Sequence, residues 1–419
     1  MSRPLPLAIY AAATGLLEPL APALLRRRAR RGKEDAARLG ERLGRAGRMR
    51  PPGPLVWLHA VSVGESLSLL PLIGALRARR PDLALLVTSL TAASAEVMAK
   101  RLPQDVIHQF APVDGPAAAA RFLSHWRPGL AIFTESELWP NLVLAARTSG
   151  ARLALVSARM REDSAAGWAR APASARTLLQ AFDLVLPQES ASGERLAALG
   201  ARVGPMLNLK LLGEAPPADP AELGTLRACV GLRKVVLAAS THPGEEALIA
   251  EAVRPTGALL ILAPRHPARA PGIAAELTAA GARLARRSAG EPLGAATEIY
   301  LADTLGELGL FLRLADVVVM GGGFVEGVGG HNPLEAARLG KPIITGPHAF
   351  NARAIYDEML AEAAALEAED RPTLTRHIGG LLAYPTIARR MGEAALDYAA
   401  RQGAALETAL AELEPLLPA

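Results

Sequence analysis

The chain has 419 residues, 50% of them hydrophobic, so it can bury a large core and is expected to form two domains. Its one cysteine, Cys229, excludes an intramolecular disulfide framework and a cysteine-rich metal site, and suits a reducing compartment. The net charge of +5 is uneven: residues 26–50 hold eleven Lys or Arg against three acids, so the remainder is slightly acidic and no nucleic-acid partner is expected.

Residues 5–25 are apolar except for Glu18 and long enough to span a bilayer. Glu18 would be costly at mid-bilayer, and Pro4, Pro6, Pro19 and Pro22 interrupt a regular span. With Arg26, Arg27, Arg28, Arg30 and Arg31 directly after it, the segment is expected to lie on, or dip into, an anionic membrane surface with the rest of the chain cytoplasmic. The alternative is a first helix docked on the protein itself. A cleaved signal peptide fits poorly, because the charges follow the apolar run.

From Pro54 onward strand-like and helix-like segments alternate, which predicts α/β architecture with parallel sheets. Expected strands are residues 55–63, 83–89, 130–134, 153–157 and 184–187, then a second series at 235–239, 259–263, 299–301, 317–320 and 342–345. Expected helices include 66–80 and 92–101. The expected organisation is a membrane-associated segment (1–50), a first Rossmann-like domain (51–208), a proline-rich linker (209–220), a second Rossmann-like domain (221–375) and C-terminal helices (376–419). Two doubly wound domains facing across a cleft would place ligands at the carboxyl ends of their strands.

Chemistry-bearing residues fall at those ends. Glu65 follows the first strand and could be a general base; Ser62-Val-Gly-Glu65 is equally a capping box, so both roles stay open. Glu135 and Glu137 end the strand at 130–134, and if the backbone is extended there they point to opposite sides. No D-x-D triplet or histidine cluster accompanies them, so no metal is expected. Lys210, Ser240, Thr241 and Arg265 form a polar, cationic set near the expected cleft, where the Arg265 fork suits a phosphate or carboxylate.

The segment from Gly321 to Glu335 joins a buried strand to a helix through glycines, among them Gly321, Gly322 and Gly323. Glycine N–H groups can approach an anion, and Asn332, Pro333 and Glu335 read as the cap, first residue and capping-box acid of a helix stopped by Gly340. A flexible loop with a well-capped helix is the alternative. A Walker A lysine, a G-x-S-x-G elbow and a G-x-G-x-x-G after the first strand are missing from the sequence, which removes the usual support for kinase, hydrolase and dehydrogenase readings.

In order, Arg38-Leu-Gly-Glu-Arg-Leu-Gly44, Ser62-Val-Gly-Glu65, Glu135-Ser-Glu-Leu-Trp-Pro-Asn141, Asn208-Leu-Lys210, Ser240-Thr-His-Pro-Gly-Glu245, Pro264-Arg-His-Pro267 and Gly329-Gly-His-Asn-Pro-Leu-Glu335 resemble the Kdo (3-deoxy-D-manno-oct-2-ulosonic acid) transferases. The resemblance implies a GT-B glycosyltransferase at the cytoplasmic face of the bacterial inner membrane. It would move Kdo from CMP-Kdo to a lipid A precursor (lipid IVA) with inversion, with no cofactor. It puts the general base on Glu65, a second carboxylate on Glu135, CMP contacts on Ser240, Arg265, His266, Asn332 and Glu335, and Lys210 near the donor. Where some members carry an acceptor-region arginine, this chain has Ala92-Ala93, so acceptor contacts there do not carry over. A related GT-B UDP-sugar transferase or epimerase, and a non-catalytic membrane-surface binding protein, are the competing readings.

Overall fold

The computed structural model describes residues 3–213 and 215–419; Met1 and Ser2 of the expected membrane segment and Glu214 of the expected linker lie outside the described residues. The chain forms two compact units, Met1–Gly213 with Gln402–Ala419, and Glu214–Arg401.

The first unit holds β1 (Leu55–His59), β2 (Ala84–Ser89), β3 (Ile107–Phe110), β4 (Leu130–Thr134), β5 (Arg152–Ala158) and β6 (Leu184–Pro187). They form one parallel sheet in the order β3-β2-β1-β4-β5-β6. All five residues of β1 and of β4 are buried, because helices cover both faces of the sheet. One face packs Trp57, Phe122, Trp126, Phe133 and Phe182, and the other Leu58, Leu72, Ile73 and Ile132.

The second unit holds β7 (Val235–Thr241), β8 (Leu259–Pro264), β9 (Leu284–Arg286), β10 (Ile299–Leu301), β11 (Val317–Met320), β12 (Ile343–Thr345) and β13 (Leu366–Glu367). Its parallel order is β13-β12-β11-β7-β8-β10-β9. The strands absent from the sequence reading, β3, β9 and β13, all lie at sheet edges. An edge strand needs no continuous apolar run, and β3 shows why. Glu41 accepts the Phe110 N–H at 2.7 Å, and Arg38 donates to the His108 carbonyl at 3.1 Å, so the Arg38-Leu-Gly-Glu41 motif covers an otherwise open edge.

Several boundaries differ from expectation, most of them by one or two residues and the following by more. The first strand stops at His59, and the helix after it starts at Val63 with Ser62 as cap. The helix expected to run to Gly340 is a single turn, Leu334–Ala337. The C-terminal tail is helical (Arg371–Ala383 and Pro385–Leu413), but residues from Gln402 onward belong to the first unit.

The N-terminal segment forms helices Leu5–Leu17 and Ala21–Ala29 joined by a 3-10 turn. One side is latched to the first unit: Tyr10 donates to Asp114 (2.9 Å), Asn141 donates to Thr14 (2.9 Å), and Glu18 accepts from the Ala117 N–H (2.9 Å) and from Arg121 (3.0 Å). The other side exposes Leu5, Ile9, Leu16, Leu17, Leu20 and Leu24.

Candidate functional site

In the first sheet the strand order reverses between β1 and β4, and the crevice beyond their carboxyl ends is where open α/β sheets take ligands. Glu65 stands there, 9% exposed. Its carboxylate accepts from the Ser62 hydroxyl (2.7 Å), the Val61 N–H (3.1 Å) and the Thr134 hydroxyl (3.3 Å), while its own N–H donates to Ser62 Oγ (3.3 Å). The cap and the candidate base are therefore the same group, fixed by three donors from both strand ends.

The chain is not extended after β4. Glu135 takes φ 51°, a left-handed conformation that costs a non-glycine residue energy, and the Glu137 N–H turns back to the Thr134 carbonyl at 3.2 Å. Glu135 is held there by backbone bonds to Val156 and Arg159, and its carboxylate meets Lys210 Nζ at 2.6 Å. The premise of an extended backbone therefore fails at Glu135, and the charges of Glu135 and Glu137 stand close enough to interact. Burial pushes the Glu137 carboxyl up to about 7; the nearby charges of Glu65 and Glu135 add to this, and the Trp139 indole N–H, which donates to Glu137, opposes it.

That shift has a sign for stability. A carboxyl raised in the folded state contributes stability that is complete below its unfolded value and is lost as pH rises through about 7. Glu137→Gln should therefore raise the melting temperature by an increment that grows between pH 5 and pH 8. A pH-independent increment in thermal melts would contradict the assignment.

In the second sheet the order reverses between β7 and β11. β7 ends in a bulge at which Ser240 takes φ 58°. Gly321, at the end of β11, packs so closely on that turn that a Cβ would stand 2.6 Å from the Ser240 carbonyl oxygen, which explains glycine at this position. Arg265 and His266 emerge exposed from β8, and neither makes an ion pair among the described residues. Asn332 is exposed, and its side-chain oxygen accepts from the Leu334 N–H (3.0 Å). Glu335 is also exposed; desolvation by the surrounding protein raises its carboxyl, opposed by Arg338 and Arg265.

Several donors read from the sequence as anion ligands have protein partners. Glu245, fully buried, accepts from the N–H groups of Gly322 (2.7 Å), His242 (2.8 Å) and Phe324 (2.9 Å). The Gly321 N–H donates to the Ala239 carbonyl (2.8 Å), and the Gly323 carbonyl accepts from His348 (2.9 Å). Thr241 is buried with its hydroxyl donating to Glu246 at 3.0 Å. With only one helical turn following, the helix dipole also adds little. The glycine loop is therefore shaped internally by a carboxylate, and the groups left facing outward are Ser240, Arg265, His266, His331, Asn332 and Glu335. Lys210, grouped by the sequence reading with these cations, lies in the first unit beside Glu135.

Sequence reasoning gave no role to Glu245 or His331, and named Glu137 only as one of a carboxylate pair and His242 only as part of the segment after β7. The available signal was an acid five residues after a strand-ending serine in Ser240-Thr-His-Pro-Gly-Glu245, which marks a buried acid only once β11 is known to neighbour β7.

Residues 37–212 match the family model described as 3-deoxy-D-manno-octulosonic-acid transferase (kdotransferase). The 3-deoxy-D-manno-octulosonic acid transferase of Bordetella pertussis is 37% identical, over 98% of this chain and 99% of that protein. Among solved structures, a glycosyltransferase from Rickettsia africae matches with a TM-score of 0.59 at 10% identity, over 87% of this chain and 99% of that one. The UDP-GlcNAc 2-epimerase of Neisseria meningitidis matches with a TM-score of 0.59 at 14% identity, over 87% of this chain and 100% of that one. At those identities the structures speak for the GT-B fold alone. The sequence match does more: the chain belongs to the 3-deoxy-D-manno-octulosonic acid transferase family, and it is a glycosyltransferase of lipopolysaccharide synthesis.

Proposed function

We propose that the protein transfers Kdo from CMP-Kdo to a phosphorylated, acylated lipid A precursor such as lipid IVA, with inversion at the anomeric carbon. The observation that carries this reading is Glu65, a buried carboxylate oriented by three donors at the β1–β4 switch point of a chain from this family. Glu65 takes the proton of the attacking hydroxyl, and the acceptor oxygen displaces CMP in one step, which inverts the anomeric centre. Glu135 and Lys210 support the transition state from the first unit. On the second unit Ser240, Arg265, His266, Asn332 and Glu335 hold the nucleotide, and the Arg265 guanidinium meets charge developing on the leaving phosphate. The reading assigns no metal or cofactor. In thermal melts, CMP should raise the melting temperature and UDP should not; a larger shift with UDP would favour a UDP-sugar enzyme.

The same reading places the protein on the cytoplasmic face of the inner membrane. Residues Leu5–Ala29 have the length and hydropathy of a span, yet Tyr10, Thr14 and Glu18 are latched to the first unit, which suits a segment lying in the membrane plane. Its exposed leucines would enter the lipid, with Arg26, Arg27, Arg30 and Arg31 at the headgroups, while Arg28 also pairs with Glu34 at 2.9 Å. Leu16 and Leu20 are 81% and 62% exposed. Replacing both by Glu should therefore leave folding intact and weaken binding to anionic vesicles by about 100-fold or more, since each removes roughly 1.5–3 kcal/mol of apolar burial. Unchanged sedimentation with vesicles would refute this placement.

A further inference from the structure

His242 follows β7 and His331 closes the glycine loop after β11, so the two imidazoles meet across the switch point of the second sheet. Their Nε2 atoms are 2.9 Å apart, the ring planes differ by 17° and the ring centres are 5.1 Å apart. Rings stacked face to face would not bring their tips so close with centres so far apart. The rings therefore lie end to end, joined by an in-line N–H···N bond in which one donates and the other accepts. His266 stands edge-on to His242 with ring centres 5.9 Å apart.

The charged groups around the pair are Arg265, Arg269 and Glu245, with His266 the neighbouring titratable ring. Arg269 is paired with Glu246 through two bonds (2.7 and 3.1 Å) and Glu245 accepts from three backbone N–H groups; of the fixed charges, Glu245 acts most on His242 and Arg265 acts most on His331. Burial lowers both imidazoles; for His331, lowered to about 4, His242, Arg265 and His266 add to it, and for His242 Glu245 works the other way. Without ligand the pair is therefore neutral near pH 7. A phosphate held by Arg265 would offset the positive charge that acts most on His331 and add to the negative charge of Glu245 at His242, and an added proton would leave the N–H···N bond intact as a stronger, charge-assisted one.

We propose that the His242–His331 pair is the proton-accepting part of the phosphate site: neutral without ligand, it takes up one proton when a phosphate anion binds beside Arg265, and it presents that charge to the leaving oxygen. This rests on the nucleotide reading given above. In the transfer, the bond from the anomeric carbon to the phosphate oxygen breaks with its electron pair going to phosphate, the bond to the acceptor oxygen forms, and the acceptor proton goes to Glu65. No bond to either histidine forms, and the extra proton returns to solvent as CMP dissociates.

The test is calorimetric titration of the full chain with CMP at pH 7 in two buffers of different ionisation enthalpy, comparing wild type with His331→Gln and His242→Gln. Ionisation of CMP itself is common to all three. Wild type should take up more protons per CMP bound than either variant, and its affinity should gain up to about tenfold more per unit fall in pH. Equal proton uptake by proteins that all bind CMP overturns the proposal. If the variants fail to bind, the wild-type histidine ring resonances decide: with CMP, the first titration step of the pair should rise by about one pH unit or more, and an unmoved step overturns it. If wild type does not bind CMP, the nucleotide reading itself falls, which no result on the pair alone can imitate.

Discussion

Glu65→Gln is expected to lower kcat by about two to four powers of ten while leaving the KM for CMP-Kdo nearly unchanged, because an amide cannot take the acceptor's proton. The geometry makes this substitution informative. Glu65 also closes the start of helix Val63–Ser68, and glutamine can still accept a backbone N–H in that role. The loss of stability should therefore stay near ~1 kcal/mol, about one hydrogen bond. Ser62→Ala is the complementary case, since it removes the hydroxyl that both caps the Glu65 N–H and donates to its carboxylate. It should cost about 1 kcal/mol of stability and much less rate. Near-normal CMP release by Glu65→Gln would leave Glu65 with the cap alone.

Glu245→Ala should be strongly destabilising, by about 3–5 kcal/mol, with loss of CMP binding at ordinary concentrations if the proposed nucleotide site is correct. Three N–H groups, from His242, Gly322 and Phe324, converge on this fully buried carboxylate. Alanine would leave all three without an acceptor and release the glycine loop from the β7 turn. Urea denaturation monitored on the full chain measures the loss, and Glu245→Gln should fall between, since one amide oxygen still accepts. An alanine variant with an unaltered unfolding midpoint would mean that the loop is held by other contacts.

The central strands were legible because parallel strands covered on both faces must be continuous apolar runs, as in β1, β4, β8 and β11. The edge strands β3, β9 and β13 were not, unlike the fully buried edge strand β6, because they are short and carry polar residues served by neighbours remote in sequence. Glu65 could be read because its cap is local, four residues long and independent of sheet order. The glycine loop misled in one respect: its composition announces close backbone approach, but not what approaches. Only the β7–β11 neighbourhood reveals that Glu245 fills the loop from within and that the two histidines meet across it. Lys210 was placed near the expected cleft by its position along the chain, and the fold shows its partner there to be Glu135.

The most direct measurement of the proposed activity is mass spectrometry of a defined lipid A precursor after incubation with the full-length protein and CMP-Kdo. The expected product carries one or more added Kdo residues, with CMP released in equal amount and both products formed about 100-fold or more slowly by Glu65→Gln. An acceptor left unmodified by CMP-Kdo under conditions in which the protein binds the nucleotide, or one modified only from a UDP-sugar, would contradict the proposed function.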